Sequence, residues 1–173
     1  IIFYFILIYS FFFNNIGLAN NIATINFDVI YANSIAYNNF IDKLDKYKND
    51  LQNQIEASEK SILEKKNKIE NFDLIINENE MTVLKNDYNK SVELLMSKVD
   101  IINSNIAKNI ETNKNTIKEF IVKISQKIAE QNSIDIIFSN NQYFISSKKI
   151  DISESVINAL NKEEIILNIN KLK

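Results

Sequence analysis

The stretch from residue 35 to residue 132 contains neither proline nor glycine, the two residues that most often end a helix. Proline in a helix interior costs about 3 kcal/mol. Apolar residues recur along the stretch at steps of three, four or their sums, which is the spacing of a helix with one apolar face. In the first half they are Tyr37, Ile41, Leu44, Leu51, Ile55, Ile62, Ile69, Phe72 and Ile76. In the second half they are Met81, Leu84, Tyr88, Val92, Leu95, Val99, Ile102, Ile106, Ile110, Ile117, Ile121, Ile124 and Ile128.

Four polar residues, Asn77-Glu78-Asn79-Glu80, interrupt this spacing and predict a turn near 77–80. The two helices would have about 40 and 50 residues and would each be roughly 60–80 Å long. A short polar link between them favours an antiparallel pair. Lys48, Ser58 and Lys65 occupy positions of an otherwise apolar heptad seam. The sequence therefore predicts a coiled-coil hairpin arm over 35–132, with a narrow seam.

Residues 21–29 alternate instead with a period of two. Ala23, Ile25, Phe27 and Val29 would share one face, which predicts a half-buried strand followed at once by the first helix of the arm.

A second β-signal follows the arm, in SIDIIFSNNQYFISS, residues 133–147. Asn140-Asn141 suits a two-residue turn, because Asn tolerates positive φ, and the stretch predicts a β-hairpin. Phe138 would lie opposite Tyr143, and Ile136 opposite Ile145. One face of the hairpin would be apolar, with Ile134, Ile136, Phe138, Tyr143 and Ile145.

Two strands alone are marginally stable in water, so we expect residues 22–28 to add a third. A last helix is predicted from Asp151, a suitable N-cap with Glu154 three residues later. These elements still leave an apolar face and open strand edges, which predicts that other copies of the chain cover them. The residues expected in this oligomeric body are Ile25, Phe27, Ile134, Ile136, Phe138, Tyr143 and Ile145.

The first thirteen residues are apolar except for Ser10. The run is shorter than the ~20 residues that a membrane-spanning helix needs. Gly17 and Ala19 supply small residues before a cut between Ala19 and Asn20, so residues 1–19 are predicted to be a secretory signal peptide. Two alternatives stay open: an uncleaved anchor in the inner membrane, and a buried helix of the core.

Composition limits the chemistry of the chain. It contains no Cys and no His, which excludes thiol catalysis and the commonest metal ligand, and one Gly leaves no Gly-rich phosphate loop. An enzyme would have to build its site from residues such as Asp, Glu, Lys and Ser, so we predict a protein that is not an enzyme and has no cofactor. A net charge of −2 argues against a nucleic-acid partner.

The order of these elements resembles the Skp/OmpH-like periplasmic chaperones. The specific part is IAEQNSIDIIFSNNQYFISSKKIDISESVINALNK, residues 128–162. Its matching positions are Ile128-Ala129, Asp135-Ile136-Ile137, Tyr143-Phe144, Asp151-Ile152-Ser153, Val156-Ile157 and Leu160-Asn161-Lys162. With the strand at 22–28, the resemblance covers the whole chain after the signal peptide, although the helices match only in composition.

The resemblance implies an α+β fold, predominantly α: a long antiparallel helical hairpin on a small β body formed by trimerisation, with a short C-terminal helix. The body would comprise residues 20–34 and 133–173. It also implies a homotrimer in the periplasm that holds unfolded outer-membrane β-barrel proteins between its arms without ATP. The candidate client contacts on the arm are Phe72, Ile76, Met81, Leu84 and Tyr88.

The chain departs from the family in charge and length. Members of the family are typically strongly basic, which favours lipopolysaccharide, whereas this chain has a net charge of −2, so membrane or lipopolysaccharide contact is only weakly expected. Lys65, Lys66 and Lys68 form one candidate anion cluster, for which a solvated helix face is the commoner interpretation. Residues 163–173 run past the usual end of the family and are expected to extend the last helix. The alternative function is a membrane-anchored coiled-coil scaffold of the cell envelope without chaperone activity.

Overall fold

The computed structural model describes residues 21–71 and 77–172. The elements are β1 (Ile22–Ile25), α1 (Phe27–Asn33), α2 (Ile35–Glu70), α3 (Glu78–Gln131), β2 (Ile136–Ser139), a 3₁₀ turn (Lys148–Ile150) and α4 (Ser153–Leu160). The predicted α+β class with a predominance of helix is confirmed. The predicted signal peptide, with its cut between Ala19 and Asn20, lies outside the described residues.

The arm consists of α2 and α3. Residues later in α2 contact residues earlier in α3. The hydroxyl of Tyr47 lies 3.4 Å from Asn105 Oδ1, and further along α2 Lys65 Nζ lies 2.7 Å from Ser91 Oγ. The two helices are therefore antiparallel, as predicted. No helix in the described part of the chain has an apolar stretch that could cross a membrane.

The turn predicted near 77–80 is only partly right: α2 ends at Glu70 and α3 begins at Glu78, so the link between the helices includes Asn77 but not residues 78–80. Asn77 is the N-cap, and its side-chain oxygen accepts a hydrogen bond from the backbone N–H of Asn79 at 3.2 Å. Glu78 and Glu80 lie in the first turn, where negative charge interacts favourably with the helix dipole. The polar run therefore starts the second helix.

Burial along the arm is uneven. Near the body, Phe40, Leu44 and Leu51 of α2 and Ile117 and Ile121 of α3 are fully buried in one cluster. Beyond Leu51 and before Ile102, no described residue of the arm is fully buried. We call this part of the arm, residues 52–71 and 77–101, the outer arm. Ser58 and Lys65 occupy two of its seam positions, so it has little apolar packing to hold its helices together.

The two strands form a parallel sheet, with Ile22 beside Ile136 and Ile25 beside Ser139. Parallel pairing requires the chain to reverse after α3. Ser133 supplies the reversal with a left-handed φ of 52°, and the N–H of Ile134 donates to the carbonyl of Ala129 at 2.9 Å. On the other side of β1, the N–H of Ile152 donates to Thr24 O at 3.0 Å. The strand at residues 22–25 is therefore the centre of the body.

The predicted strand over 21–29 is too long, and Phe27 and Val29 lie in α1. Asn26 is the cause: its Oδ1 accepts hydrogen bonds from the backbone N–H groups of Asp28 at 3.0 Å and Val29 at 3.2 Å. An N-cap of this kind stabilises the helix start. The strand consequently ends at Ile25.

The predicted β-hairpin is also wrong in its second half. The chain turns at residues 140–141, but Tyr143 and Ile145 are not in a strand and do not pair with Phe138 and Ile136. The backbone N–H of Ser139 instead donates to Gln142 Oε1 at 2.9 Å, and β2 makes its ladder with β1. The sheet partner of this segment is distant in sequence.

The last helix begins at Ser153, one residue later than the predicted N-cap at Asp151 implies. Asp151 still contributes, since its Oδ1 accepts a hydrogen bond from the Ser153 N–H at 2.9 Å, although Ile152 is the N-cap. The expectation that residues 163–173 extend this helix is wrong, because α4 ends at Leu160. The described residues 163–172 are extended and run back along the arm, where Leu167 is buried.

Aromatic rings join α1 to the base of the arm. The ring centroids of Tyr31 and Tyr37 are 5.3 Å apart, and those of Tyr37 and Phe40 are 6.0 Å apart. The Tyr31 hydroxyl donates to the carbonyl of Lys114 at 3.3 Å. Burial raises the pKa of Tyr31, and the neighbouring Tyr37 and Asp28 raise it further. The cluster therefore fixes α1 against both helices of the arm.

Candidate functional site

Large apolar side chains are exposed along the outer arm. Leu63, Val83, Leu94, Met96 and Ile101 have between 53% and 66% of their surface accessible. They lie off the seam, so packing of α2 on α3 does not cover them. Single exposed apolar residues are common on proteins, but five on the two helices of the outer arm give it apolar area that a partner can cover.

Part of this surface is a shallow groove between the two helices. Its apolar lining comes from Ala57, Ile62, Leu94 and Leu95, and Lys98 lies at its side. The Lys98 ammonium is 3.3 Å from Gln54 Oε1, which holds it against α2. The groove offers apolar contacts with few polar groups.

The client contacts predicted from the sequence lie elsewhere on the arm. Met81, Leu84 and Tyr88 are half-buried at seam positions of α3, and Phe72 and Ile76 lie outside the described residues. Heptad spacing selects the residues that pack between helices, so it could not find the exposed ones. These exposed residues could have been found in the sequence as large apolar residues at positions outside the heptad seam.

The three lysines of the candidate anion cluster do not act as one group. Lys65 lies in the seam, with its Nζ 2.8 Å from Asp87 Oδ2. Lys66 is 3.6 Å from Glu70 Oε1 on its own helix, and Lys68 is exposed. Two of the three ammonium groups thus have carboxylate partners, which weakens any attraction for an external anion.

The body carries a second exposed apolar surface. Ile22 and Ile136 are neighbours in the sheet register, with 40% and 45% of their surfaces exposed. Phe144 is fully exposed and Ile145 is 84% exposed. Among the described residues, β2 has a strand partner on one edge only. A sheet with an open edge and uncovered apolar side chains is suited to pairing with another chain.

The residues predicted for the oligomeric body divide by their burial. Ile25 is already buried in the core of a single chain. Phe27, Ile134, Phe138 and Tyr143 are half-buried, whereas Ile136 and Ile145 are exposed. Only the exposed and half-buried members have surface left for a partner. Phe144, which the hairpin register put on the opposite face, has the most.

No three acidic side chains among the described residues are grouped closely enough to hold a metal ion. The features that stand out in residues 21–71 and 77–172 are the apolar surfaces of the outer arm and the sheet.

A profile described as "Outer membrane protein (OmpH-like)" matches residues 21–160. The fold is similar to a crystal structure of a candidate OmpH-like outer membrane chaperone from Caulobacter crescentus, with a TM-score of 0.74 and 7% sequence identity. That match covers 82% of this chain and 83% of the other. A sequence comparison with curated proteins gives no significant match. The profile match spans most of the chain, which therefore belongs to the OmpH-like family.

Proposed function

We propose that this chain is a periplasmic holdase chaperone, acting as a homotrimer without ATP on unfolded outer-membrane β-barrel proteins. A holdase needs no catalytic residue. It lowers the free concentration of an aggregation-prone chain by binding its unfolded form. The observation that carries the proposal is the row of exposed apolar residues along the outer arm, which includes Leu63, Val83 and Leu94.

The weak packing of the outer arm supports the same function. A client of variable size needs a binding surface that can adjust, and promiscuous binders use adaptable apolar surfaces. Elements with few buried contacts open at low free-energy cost. The arm has this property beyond Leu51, so its helices can move relative to the body while the core at Phe40 stays packed.

The trimer is supported by the uncovered face of the body. Phe144 and Ile145 contact little within their own chain, and the free edge of β2 can accept a strand. Three chains that share their strands would cover these groups and arrange three arms around one cavity. The body in this proposal comprises residues 20–34 and 133–173, of which residues 163–172 lie back along the base of the arm.

Secretion into the periplasm follows from the predicted signal peptide, residues 1–19, and agrees with family membership. Mass spectrometry of the N-terminus tests it directly. A first residue at Asn20 supports export with cleavage, whereas a retained apolar segment favours the membrane-anchored scaffold.

The function is tested by diluting a urea-unfolded β-barrel protein into buffer with and without the purified protein and recording light scattering. The expected result is suppressed aggregation at one trimer per client, with sedimentation giving a trimer. A trimer that leaves aggregation unchanged would favour the scaffold, and a monomer would contradict the cavity.

A further inference from the structure

Three asparagines on α3, spaced by four residues, hold the extended segment 163–172 against the arm. Asn113 makes two bonds to one residue: its Nδ2 donates to Asn168 O at 2.9 Å, and its Oδ1 accepts from Asn168 N at 3.2 Å. Asn109 repeats the arrangement with Asn170, at 3.1 Å and 2.7 Å. Asn105 Nδ2 adds a bond to Asn170 O at 2.9 Å. We call these three residues the asparagine ladder.

The asparagine ladder can bond regularly to an extended chain because the helix repeat and the strand repeat are nearly equal in length. Four residues of an α-helix rise about 6 Å, and two residues of an extended chain span about 6.6 Å. Asn113 and Asn109, four residues apart on α3, therefore meet alternate backbone units of the segment, those of Asn168 and Asn170. Tyr47 continues the row from α2, where its hydroxyl accepts the Leu172 N–H at 2.8 Å.

These bonds reach only backbone atoms of the segment. The Asn168 and Asn170 residues themselves are exposed, whereas Leu167 is buried and Ile165 and Ile169 are half-buried against the core. Such a surface sets two requirements for a ligand: an extended backbone, and apolar side chains at alternate positions. Nothing in the contacts requires the particular sequence of residues 163–172.

The segment both shields the ladder from water and completes its hydrogen bonds. With the segment in place Asn109 and Asn113 are only 2% and 5% exposed, and their Nδ2 groups also donate to the carbonyls of Asn105 and Asn109 one turn earlier. Their buried Oδ1 atoms need N–H partners from outside the helix. The segment supplies those partners. An extended segment of another polypeptide could supply the same ones, because every non-proline residue carries the same backbone N–H and C=O.

We propose that the asparagine ladder is a binding site for extended segments of unfolded clients, and that residues 163–172 are its internal occupant, which a client displaces. The inference rests on the proposed holdase function and adds a second kind of contact to it. Strands of outer-membrane β-barrels alternate apolar and polar residues. The segment bound to the ladder shows the same alternation, because Ile165, Leu167 and Ile169 face the core and the residues between them are exposed.

The proposal is tested with a fluorescent ten-residue peptide of alternating valine and serine and the double variant Ile165→Asp/Leu167→Asp. Charges at these two positions should release the segment and leave the ladder intact. An internal occupant lowers apparent affinity by the fraction of time that the site is free. We therefore expect fluorescence anisotropy to show at least about tenfold tighter peptide binding. The matched control is Ile166→Asp, since Ile166 is 73% exposed between the two and should leave affinity unchanged.

Backbone readout is tested by adding Asn109→Ala and Asn113→Ala to the released variant, which should abolish the gain. Peptides N-methylated at every second residue provide an independent check. Methylation in one register should prevent binding, and methylation shifted by one residue should not. Equal effects of the two registers, or an unchanged affinity in the released variant with native circular dichroism, would overturn the proposal.

A measurement on the unaltered protein covers the case in which the variants fail to fold. Saturating peptide should increase hydrogen exchange at the amides of Asn168 and Asn170, which the ladder otherwise protects. Unchanged protection at saturation contradicts the proposal. Suppression of client aggregation without peptide binding would reject the ladder site and leave the holdase standing. Peptide binding without suppression would reject the holdase.

Discussion

Lys65 of α2 contacts Asp87 of α3 across the seam, with 2.8 Å between Lys65 Nζ and Asp87 Oδ2. The same ammonium donates to Ser91 Oγ at 2.7 Å. A heptad seam normally has an apolar residue at this position. In the outer arm a polar link between the helices therefore stands where an apolar contact would be expected. Exposed ion pairs contribute only about 0–1 kcal/mol to stability, so this link is weak.

The first prediction concerns that link. A double-mutant cycle with Lys65→Ala and Asp87→Ala should give a coupling free energy of about 0.5 kcal/mol in urea unfolding, because both side chains are partly solvated. In 1 M salt, where the screening length is about 3 Å, the coupling should fall. The pair Lys66 and Glu70 is the control, since both residues lie on α2 and do not join the helices. A coupling indistinguishable from zero at low salt would show that the contact does not hold the arm together.

The second prediction concerns assembly. If the chain assembles as proposed, Phe144→Asp and Ile145→Asp should each dissociate the proposed trimer, because burying an unpaired charge at an interface costs several kcal/mol. The fold of each chain should persist, since both side chains are exposed in the single chain. Sedimentation and circular dichroism measure the two effects separately. Ile166→Asp introduces the same charge at an exposed site away from the sheet and should leave the trimer intact; an unchanged trimer in the Phe144 variant would mean that the interface lies elsewhere.

The third prediction concerns client contact. The double variant Val83→Ser/Leu94→Ser should bind unfolded client about thirtyfold more weakly, because each substitution removes roughly 1 kcal/mol of apolar contact. Titration of aggregation suppression measures the loss. Ile35→Ser is the matched control: Ile35 is 57% exposed but lies at the base of the arm. If the control weakens binding as much as the double variant, the outer arm is not the client surface.

The fourth prediction concerns pH. The folded-state pKa of Tyr31 is raised, chiefly by burial. Its unfolded pKa is about 10. The phenol therefore contributes stability that is fully present below pH 10 and is lost as the pH rises through the folded pKa. Tyr31→Phe should reduce this alkaline loss in urea titrations between pH 9 and about pH 11. Tyr37→Phe should act in the same direction, because burial also raises the Tyr37 pKa; an unchanged alkaline slope in both variants would contradict the assignment.

The arm was predictable because its signal is periodic. Leu44, Leu51, Ile117 and Ile121 were expected in the seam and are fully buried. Phe40 was missed, although it is 1% exposed, because it packs in the aromatic cluster beside Tyr37 and lies one residue off the heptad register. The pairing of residues 22–25 with the strand after the arm was also expected, and the sheet contains it.

Two other features depend on side-chain hydrogen bonds, which cannot be predicted from the spacing of apolar residues. Asn26 ends the first strand by capping α1, and Gln142 closes the turn that a hairpin would have used. The asparagine ladder was missed for a different reason. Asn105, Asn109 and Asn113 read as ordinary polar residues of a helix, and only the position of the segment 163–172 gives them a common role.

The parallel pairing of β1 with β2 also determines the order in which the protein can fold. The partners are separated by about the whole length of the arm; the N–H of Asn21 and the carboxylate of Asp135, for example, are 114 residues apart and 3.0 Å from each other. Closing a loop of that length before the helices form would cost entropy with no local contacts to offset it. Once α2 and α3 have paired, the same ends lie side by side. The body of each chain should therefore form last, so the arm is complete before the chain has a sheet edge on which another strand could pair.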